Sequence, residues 1–130
     1  MQGYKEFPAD VRRVFGRIMT DYSLKVVNET MSMVLMKSGK CSIIISTENG
    51  YAEMAFRENE HDKWMMLGPY MQVLFPNDQI RFADTSGKVN REAVISSLHE
   101  LSDIVLKYGE RFLTGDFSWR DSYEDLVAQR

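Results

Sequence analysis

The sequence KCSIIISTENGYAEMAFR, residues 40–57, decides the fold of this chain. Asn49-Gly50 near its centre favours a type I′ turn, because both residues accept the positive φ angles of that tight connection. Before the turn, three successive isoleucines favour a strand over residues 40–47. After it, side chains alternate as in a strand with one buried and one wet face. The alternating sets are Ala52, Met54 and Phe56 on one face, and Tyr51, Glu53, Ala55 and Arg57 on the other.

Upstream of this hairpin, two further β-prone runs occupy residues 24–27 and 31–37, and the second ends at Ser38-Gly39. Before them, Pro8 suits the first turn of a helix, where its missing N–H needs no partner. Apolar residues then recur at helical spacing, which predicts a helix over roughly residues 8–21. The N-terminal half therefore predicts one helix followed by an antiparallel meander.

Downstream, residues 64–75 are ambiguous because Gly68-Pro69 interrupts them. A strand ending at Leu67 and a short helix from Pro69 to Phe75 are both open interpretations. Residues 80–83 favour a short extended piece, and residues 84–87 favour a loop.

Two helices are predicted near the C-terminus. Asn90 suits an N-cap, and the apolar stripe after it runs to about Leu113, with Gly115 near the C-terminal end. Ser118 then suits the cap of a last helix that runs to about Ala128. The side chains expected to turn inward from this helix are Trp119, Tyr123, Leu126 and Val127.

The order of these elements predicts an α+β fold. We expect an N-terminal helix, an antiparallel β-meander of three to five strands, and C-terminal helices packed on one face of the sheet. The length of 130 residues and a hydrophobic content of 44% fit one domain over residues 1–130.

Composition also excludes several classes of protein. Cys41 is the only cysteine, so an intrachain disulfide is impossible. No apolar run approaches the roughly 20 residues of a membrane span, and residues 1–7 lack an apolar signal region. We therefore expect a cytoplasmic chain without a membrane role.

The formal charge is unevenly distributed. Residues 1–40 hold seven Lys/Arg and four Asp/Glu, a balance of +3, whereas residues 41–130 hold nine and fifteen, a balance of −6. Nucleic-acid binding needs a dense basic face, which this pattern does not provide.

No segment carries a signature that names a reaction. Zinc needs three or four ligands, and the chain has only His61 and His99 besides Cys41, so we expect no metal. Cys41 opens an isoleucine-rich strand and is predicted to be a buried thiol rather than a nucleophile. The loop at residues 84–88 has one glycine and lacks phosphate-binding spacing. We expect no cofactor and no enzymatic activity.

Residues 113–119, LTGDFSW, follow a long helical stretch with a Tyr-Gly break. This ending resembles the LL-x-GDF-S-W ending of small bacterial proteins, some of which resemble immunity proteins of polymorphic toxin systems. The resemblance covers roughly the last quarter of the chain. It implies a bacterial protein that acts by binding a protein toxin, and it assigns a role to no residue.

The leading hypothesis is therefore a non-enzymatic, immunity-like protein-binding domain, since an acidic surface complements a basic partner and speeds association. The candidate partner-binding residues are Tyr51, Glu53, Glu58, Glu60 and Asp62. One alternative is a small-molecule-binding domain or an enzyme with a pocket between sheet and helices. That pocket would be lined by Met54, Phe56, Trp64 and Met66. Another alternative is a homodimer formed through a strand edge or through residues 64–71.

Overall fold

The fold is that of a computed structural model, which describes residues 3–48, 50–61, 63–78 and 90–129. The predicted N-terminal helix is α1 (Phe7–Asp21). Pro8 lies in its first turn, and Val11, Phe15 and Ile18 form its buried stripe. The opposite side of α1 carries arginines that stay exposed, so the helix packs along one face only.

Five strands form one antiparallel sheet whose spatial order equals the order in the chain. They are β1 (Lys25–Thr30), β2 (Met33–Lys37), β3 (Cys41–Glu48), β4 (Tyr51–Glu58) and β5 (Met65–Met66). Glu48 pairs with Tyr51, so two residues connect β3 to β4 as predicted. Gly50 has the positive φ of +84° that such a turn needs, and Asn49 lies outside the described residues.

The first two strands differ from their predicted bounds. Leu24 is buried, but its N–H donates to Met19 O at the exit of α1, so β1 begins one residue later. The strand then continues to Thr30 because β2 supplies a pairing partner. The register shifts between Val26 and Asn28, which bulges this edge of the sheet.

Residues 64–75 contain both a short strand and a short helix, the two structures that the sequence left open. β5 pairs with Ala55 and Phe56 of β4, and α2 (Leu67–Leu74) follows at once. Gly68 and Pro69 lie in the first turn of α2, whose N–H groups need no helical partner, so they do not interrupt it.

The predicted N-cap at Asn90 is confirmed, since its side chain accepts a hydrogen bond from the Ala93 N–H at 2.9 Å. The prediction that this helix runs to Leu113 is wrong in one respect: α3 (Arg91–Tyr108) ends before Gly109, and α4 (Glu110–Leu113) forms a separate turn. The Tyr70 hydroxyl donates to the Tyr108 carbonyl, which in an uninterrupted helix accepts from residue 112.

The last helix, α5 (Arg120–Ala128), corrects two predictions. Ser118 does not cap it, because Trp119 occupies the N-cap position and no side chain there accepts a helix N–H. The hydroxyl and the N–H of Ser118 instead donate to Asp116 Oδ1, at 2.7 and 3.1 Å. Trp119 and Tyr123 are buried as expected, but Val127 is 42% exposed. Val127 lines a surface groove beside Trp64 instead of the core.

The helices cover one face of the sheet, which confirms the α+β architecture. Inward side chains of β2, β3 and β4 are buried against α1, α2 and α3. At the far edge, Phe56 and Phe112 stack with ring centroids 3.9 Å apart, and Tyr70 and Trp119 pack around them. None of the described helices has the length and apolarity needed to cross a bilayer.

Candidate functional site

The outward face of β2 to β5, which we call the open face, carries an apolar row. Register pairs Leu35 with Ile44, Ile44 with Ala55, and Ala55 with Met66, so these four side chains cross the sheet side by side. Leu35, Ile44 and Ala55 are half-buried, and Met66 is 43% exposed. Among the described residues, the helices pack on the inward side chains and leave this row uncovered.

Charges of opposite sign flank the apolar row on the open face. Glu48 and Glu53 lie towards the β3–β4 turn, whereas Lys37 and Arg57 lie at the other end of their strands. The Glu53 charge, followed by burial, raises the pKa of the Tyr51 hydroxyl above its ordinary value. The open face therefore has an acidic end, an apolar centre and a basic end.

At the basic end, the Arg57 guanidinium lies over the Trp64 ring, 4.4 Å from its centroid. Stacking of this kind holds a cation against an aromatic face. The Arg57 Nε is buried and has no hydrogen-bond partner in the described part of the chain.

The candidate partner-binding residues do not form one cluster. Tyr51 and Glu53 lie at the acidic end, while Glu58 lies at the opposite end of β4, about 23 Å from Tyr51 and about 17 Å from Glu53 at the rise of a strand. Glu58 accepts a hydrogen bond from Arg120 Nη2 at 2.8 Å, and Glu60 is exposed in the following turn. Asp62 lies outside the described residues.

A cleft of about 330 Å³ opens beside Tyr51 and Glu53, where β5 has ended and β4 continues alone. Its apolar walls are Met54, Leu67 and Leu101, and Glu53 and Glu100 also line it. We call it the β4 cleft.

Ser97 fixes the floor of the β4 cleft. Its hydroxyl accepts the Ala52 N–H at 2.7 Å and donates to the Val94 carbonyl at 2.9 Å. The Ser97 side chain of α3 thus supplies the hydrogen-bond acceptor that a neighbouring strand would otherwise provide for the Ala52 N–H. Sequence reasoning missed Ser97 and Glu100, because neither belongs to the apolar stripe and only the packing of α3 on β4 brings them to the cleft.

The pocket predicted between sheet and helices is not assembled from its four residues. Phe56 is fully buried in the aromatic cluster that it forms with Tyr70, Phe112 and Trp119, and Trp64 stacks on Arg57 at the open face. Met54 and Met66 do meet, but as lining of the β4 cleft.

The described residues contain no group of three or more His, Cys, Asp or Glu that could hold a metal ion. Cys41 is fully buried, and burial raises the pKa of its thiol to about 11. His99 is exposed on α3. A buried neutral thiol and an exposed imidazole are poor components for nucleophilic catalysis.

Residues 113–119 form the junction between α4 and α5. Gly115 has a φ of +87°, and the Trp119 indole N–H donates to the Asp116 carbonyl at 2.7 Å. Phe117 and Trp119 are buried, so this segment closes the aromatic edge of the core. Packing and turn formation therefore account for the residues of this segment.

Comparison of the chain with protein-family models, curated proteins and solved structures gives no match. The resemblance of residues 113–119 to immunity-type proteins therefore stays a prediction.

Proposed function

We propose that this chain is a non-enzymatic bacterial protein of the cytoplasm that binds another protein through its open face, in the manner of an immunity protein neutralising a toxin. The observation that carries the proposal is the apolar row of Leu35, Ile44, Ala55 and Met66 on a sheet face that the helices of the described residues leave uncovered. An apolar centre with a polar rim is the usual anatomy of a protein interface.

The charges around the apolar row predict which charges the partner's surface carries. Glu48 and Glu53 favour a basic patch opposite the acidic end. Complementary charges steer association and fix the orientation of the two surfaces, so the partner is expected to bind in one register. The basic end, with Arg57 held on Trp64, favours an acidic or aromatic contact there.

Affinity purification from the native host, with wild type and an Ile44→Glu variant, tests the proposal. Ile44 lies at the centre of the row, and a carboxylate there places an unpaired charge in the interface. We expect one stoichiometric partner with wild type and at least a tenfold loss of it with Ile44→Glu. Leu106→Glu is the matched control, because Leu106 is 40% exposed on α3, away from the open face.

Circular dichroism first establishes that both variants are folded. Capture of no partner by wild type, or equal capture by both variants, contradicts the proposal. Sedimentation of wild type alone identifies a second copy as the occupant: a dimer abolished by Ile44→Glu replaces the toxin partner with a homodimer.

A small-molecule-binding function is the second candidate, favoured by the β4 cleft. Its volume of about 330 Å³ lies near the lower limit of ligand pockets, which suits a small metabolite. Thermal-shift screening of a metabolite library checks it. A hit that is lost when Gly68 is replaced by leucine, which would fill the cleft, supports this function, and no shift across the library contradicts it.

A further inference from the structure

A row of positive charge crosses the strands at the basic end of the open face. Register pairs Lys25 of β1 with Lys37 of β2, Lys37 with Ser42 of β3, and Ser42 with Arg57 of β4. The residues on β2 to β4 lie two positions from the apolar row on their own strands, so they face the same side of the sheet. We call Lys25, Lys37 and Arg57 the basic row, which spans about 14 Å at the usual spacing of neighbouring strands.

The basic row is not neutralised within the described part of the chain. Lys25 and Lys37 are exposed, Arg57 is half-buried, and the ion pairs of the described residues include none of the three. Glu58, the next residue after Arg57, instead accepts a hydrogen bond from Arg120 of α5 on the helical side of the sheet. Like charges directly opposite each other in neighbouring strands destabilise a sheet. The Lys25–Lys37 pair therefore favours a negative charge bound between the two side chains.

Arg57 is the preorganised member of the basic row. Its guanidinium lies 4.4 Å from the centroid of the Trp64 ring. A guanidinium held on an aromatic face loses little freedom on binding, and its fork of N–H groups matches the two oxygens of a carboxylate. Between Arg57 and Lys37, the Ser42 hydroxyl donates to Asn59 Oδ1 at 2.8 Å, so the middle of the row is neutral. The basic row thus offers a carboxylate-binding group at each end.

The surroundings of the basic row favour an acidic protein segment over a nucleic acid. The apolar row lies directly beside it, and Glu53 lies four residues from Arg57 on the same strand, about 13 Å away. A nucleic acid carries negative charge along its whole length and would be repelled by that carboxylate. A protein segment can instead place carboxylates on the basic row and apolar side chains on the apolar row.

We infer that the basic row binds an acidic segment of the protein partner, which crosses the strands with Asp or Glu side chains on Arg57 and on the Lys25–Lys37 pair. The bound carboxylates offset the repulsion between the two lysines. This inference rests on the proposed protein-binding function and adds the residue class that the partner presents at this end of the open face.

Two nine-residue peptides test the basic row without the partner. They share one Ser/Thr sequence with a central leucine and differ only at three positions, which are glutamate in one peptide and glutamine in the other. Titration into the ¹⁵N-labelled chain at low salt is followed by the amide shifts of Lys25, Lys37, Ser42 and Arg57. We expect saturable shifts with the glutamate peptide and about tenfold weaker binding of the glutamine peptide, the effect of a few exposed ion pairs.

Charge removal assigns the binding to the basic row. Lys37→Gln and Arg57→Gln are each expected to weaken the glutamate peptide several-fold and to leave the glutamine peptide unchanged. Lys107→Gln is the matched control, because it removes the same charge from an exposed position on α3, on the helical side of the sheet. Lys37→Gln should also keep or raise the Tm, because it removes the repulsion from Lys25. Its weaker binding then cannot come from unfolding.

Three results overturn the acidic segment. They are the absence of saturable shifts at millimolar glutamate peptide, equal affinity for the two peptides, and equal weakening by Lys107→Gln and Lys37→Gln. A single-stranded oligonucleotide of nine nucleotides is titrated in parallel. Tighter binding of the oligonucleotide than of the glutamate peptide replaces the protein segment with a nucleic acid.

Once a partner is in hand, a variant that combines Lys37→Gln with Arg57→Gln is applied to the complex. Weaker capture by this variant, with a smaller dependence on salt than wild type shows, supports the inference. Full capture by this variant together with loss by Ile44→Glu overturns the inference and leaves the proposed function standing. Failure of Ile44→Glu to affect the complex overturns the proposed function while the peptide result remains.

Discussion

At the scale of single residues, Asp10 joins the start of the chain to the third helix. Its side chain is 2% exposed, and it accepts hydrogen bonds from the Tyr4 hydroxyl at 2.7 Å and from two nitrogens of Arg91 at 2.9 Å. The hydrogen bonds from the Arg91 guanidinium and the Tyr4 hydroxyl hold the pKa of this carboxyl below its ordinary value, although burial acts to raise it.

We predict that Asp10→Asn lowers the free energy of unfolding by about 2 kcal/mol at pH 7, because charged hydrogen bonds to a buried group are lost. Folding lowers the pKa of the Asp10 carboxyl. Its contribution to the free energy of unfolding is therefore complete above the unfolded-state pKa of about 3.9, and it is lost as the pH falls through the folded-state pKa. Urea unfolding from neutral to acid pH measures it.

The difference between wild type and Asp10→Asn should therefore shrink below about pH 4. Asp21→Asn is the control, because the Arg17–Asp21 contact is exposed and 3.6 Å long, and such pairs contribute less than about 1 kcal/mol. A difference that stays constant to acid pH would show that Asp10 acts by shape alone.

Cys41 gives a second prediction at this scale. Since the thiolate is the reactive form and burial raises the thiol pKa to about 11, the native chain should react with Ellman's reagent far more slowly than the urea-unfolded chain. Absorbance of the released thiolate measures both rates. Equal rates would place the thiol at the surface.

At the scale of elements, two glycines in helical surroundings have opposite roles. Gly16 lies inside α1, and an added Cβ would meet no atom within 4 Å. At Gly109, between α3 and α4, a Cβ would lie 2.7 Å from the Val105 carbonyl oxygen. The first glycine is replaceable, and the second permits a close turn.

We predict that Gly16→Ala raises the free energy of unfolding by up to about 1 kcal/mol, because alanine restricts the unfolded chain and favours a helix. Gly109→Ala should lower it by about 1–3 kcal/mol, the usual cost of overpacking. Chemical denaturation measures both, and each variant controls for the general effect of an added methyl group. Destabilisation by both would refute this assignment.

The local patterns predicted most elements because each of them has its own period or cap. Alternating apolar and polar side chains predicted β4, apolar residues at helical spacing predicted α1, and the N-cap Asn90 predicted the start of α3. The end of α3 depends on a distant contact, because the Tyr70 hydroxyl donates to the Tyr108 carbonyl across 38 residues. The predicted Ser118 cap failed for a local reason, since the Ser118 hydroxyl donates to Asp116, two residues before it.

At the scale of the whole molecule, the sequence predicted that helices gather on one face of the sheet but not which groups meet at the uncovered edges. Leu35, Ile44, Ala55 and Met66 come from four strands, so only strand register makes them a row. Likewise, Ser97 and Glu100 join Glu53 only when α3 packs on β4. The candidate site is thus a product of tertiary structure.

The aromatic cluster joins the sheet to the C-terminal helices, so we expect them to unfold as one cooperative unit. Phe112→Ala should lower the free energy of unfolding by about 3–5 kcal/mol, because its ring is fully buried against Phe56. A Trp64→Phe background leaves Trp119 as the single tryptophan. Its fluorescence and the circular dichroism of the backbone should then change at one urea concentration. Two separate midpoints would contradict a shared core.

The strand order has a consequence for how the chain is made. Each described strand after β1 pairs with the strand synthesised just before it, so the sheet can form progressively as the chain leaves the ribosome. Phe56 of β4 must wait for its stacking partner Phe112, which lies 56 residues further along (112 − 56). A nascent chain halted before α4 would hold a paired sheet with one uncovered aromatic edge, which is the surface a chaperone recognises.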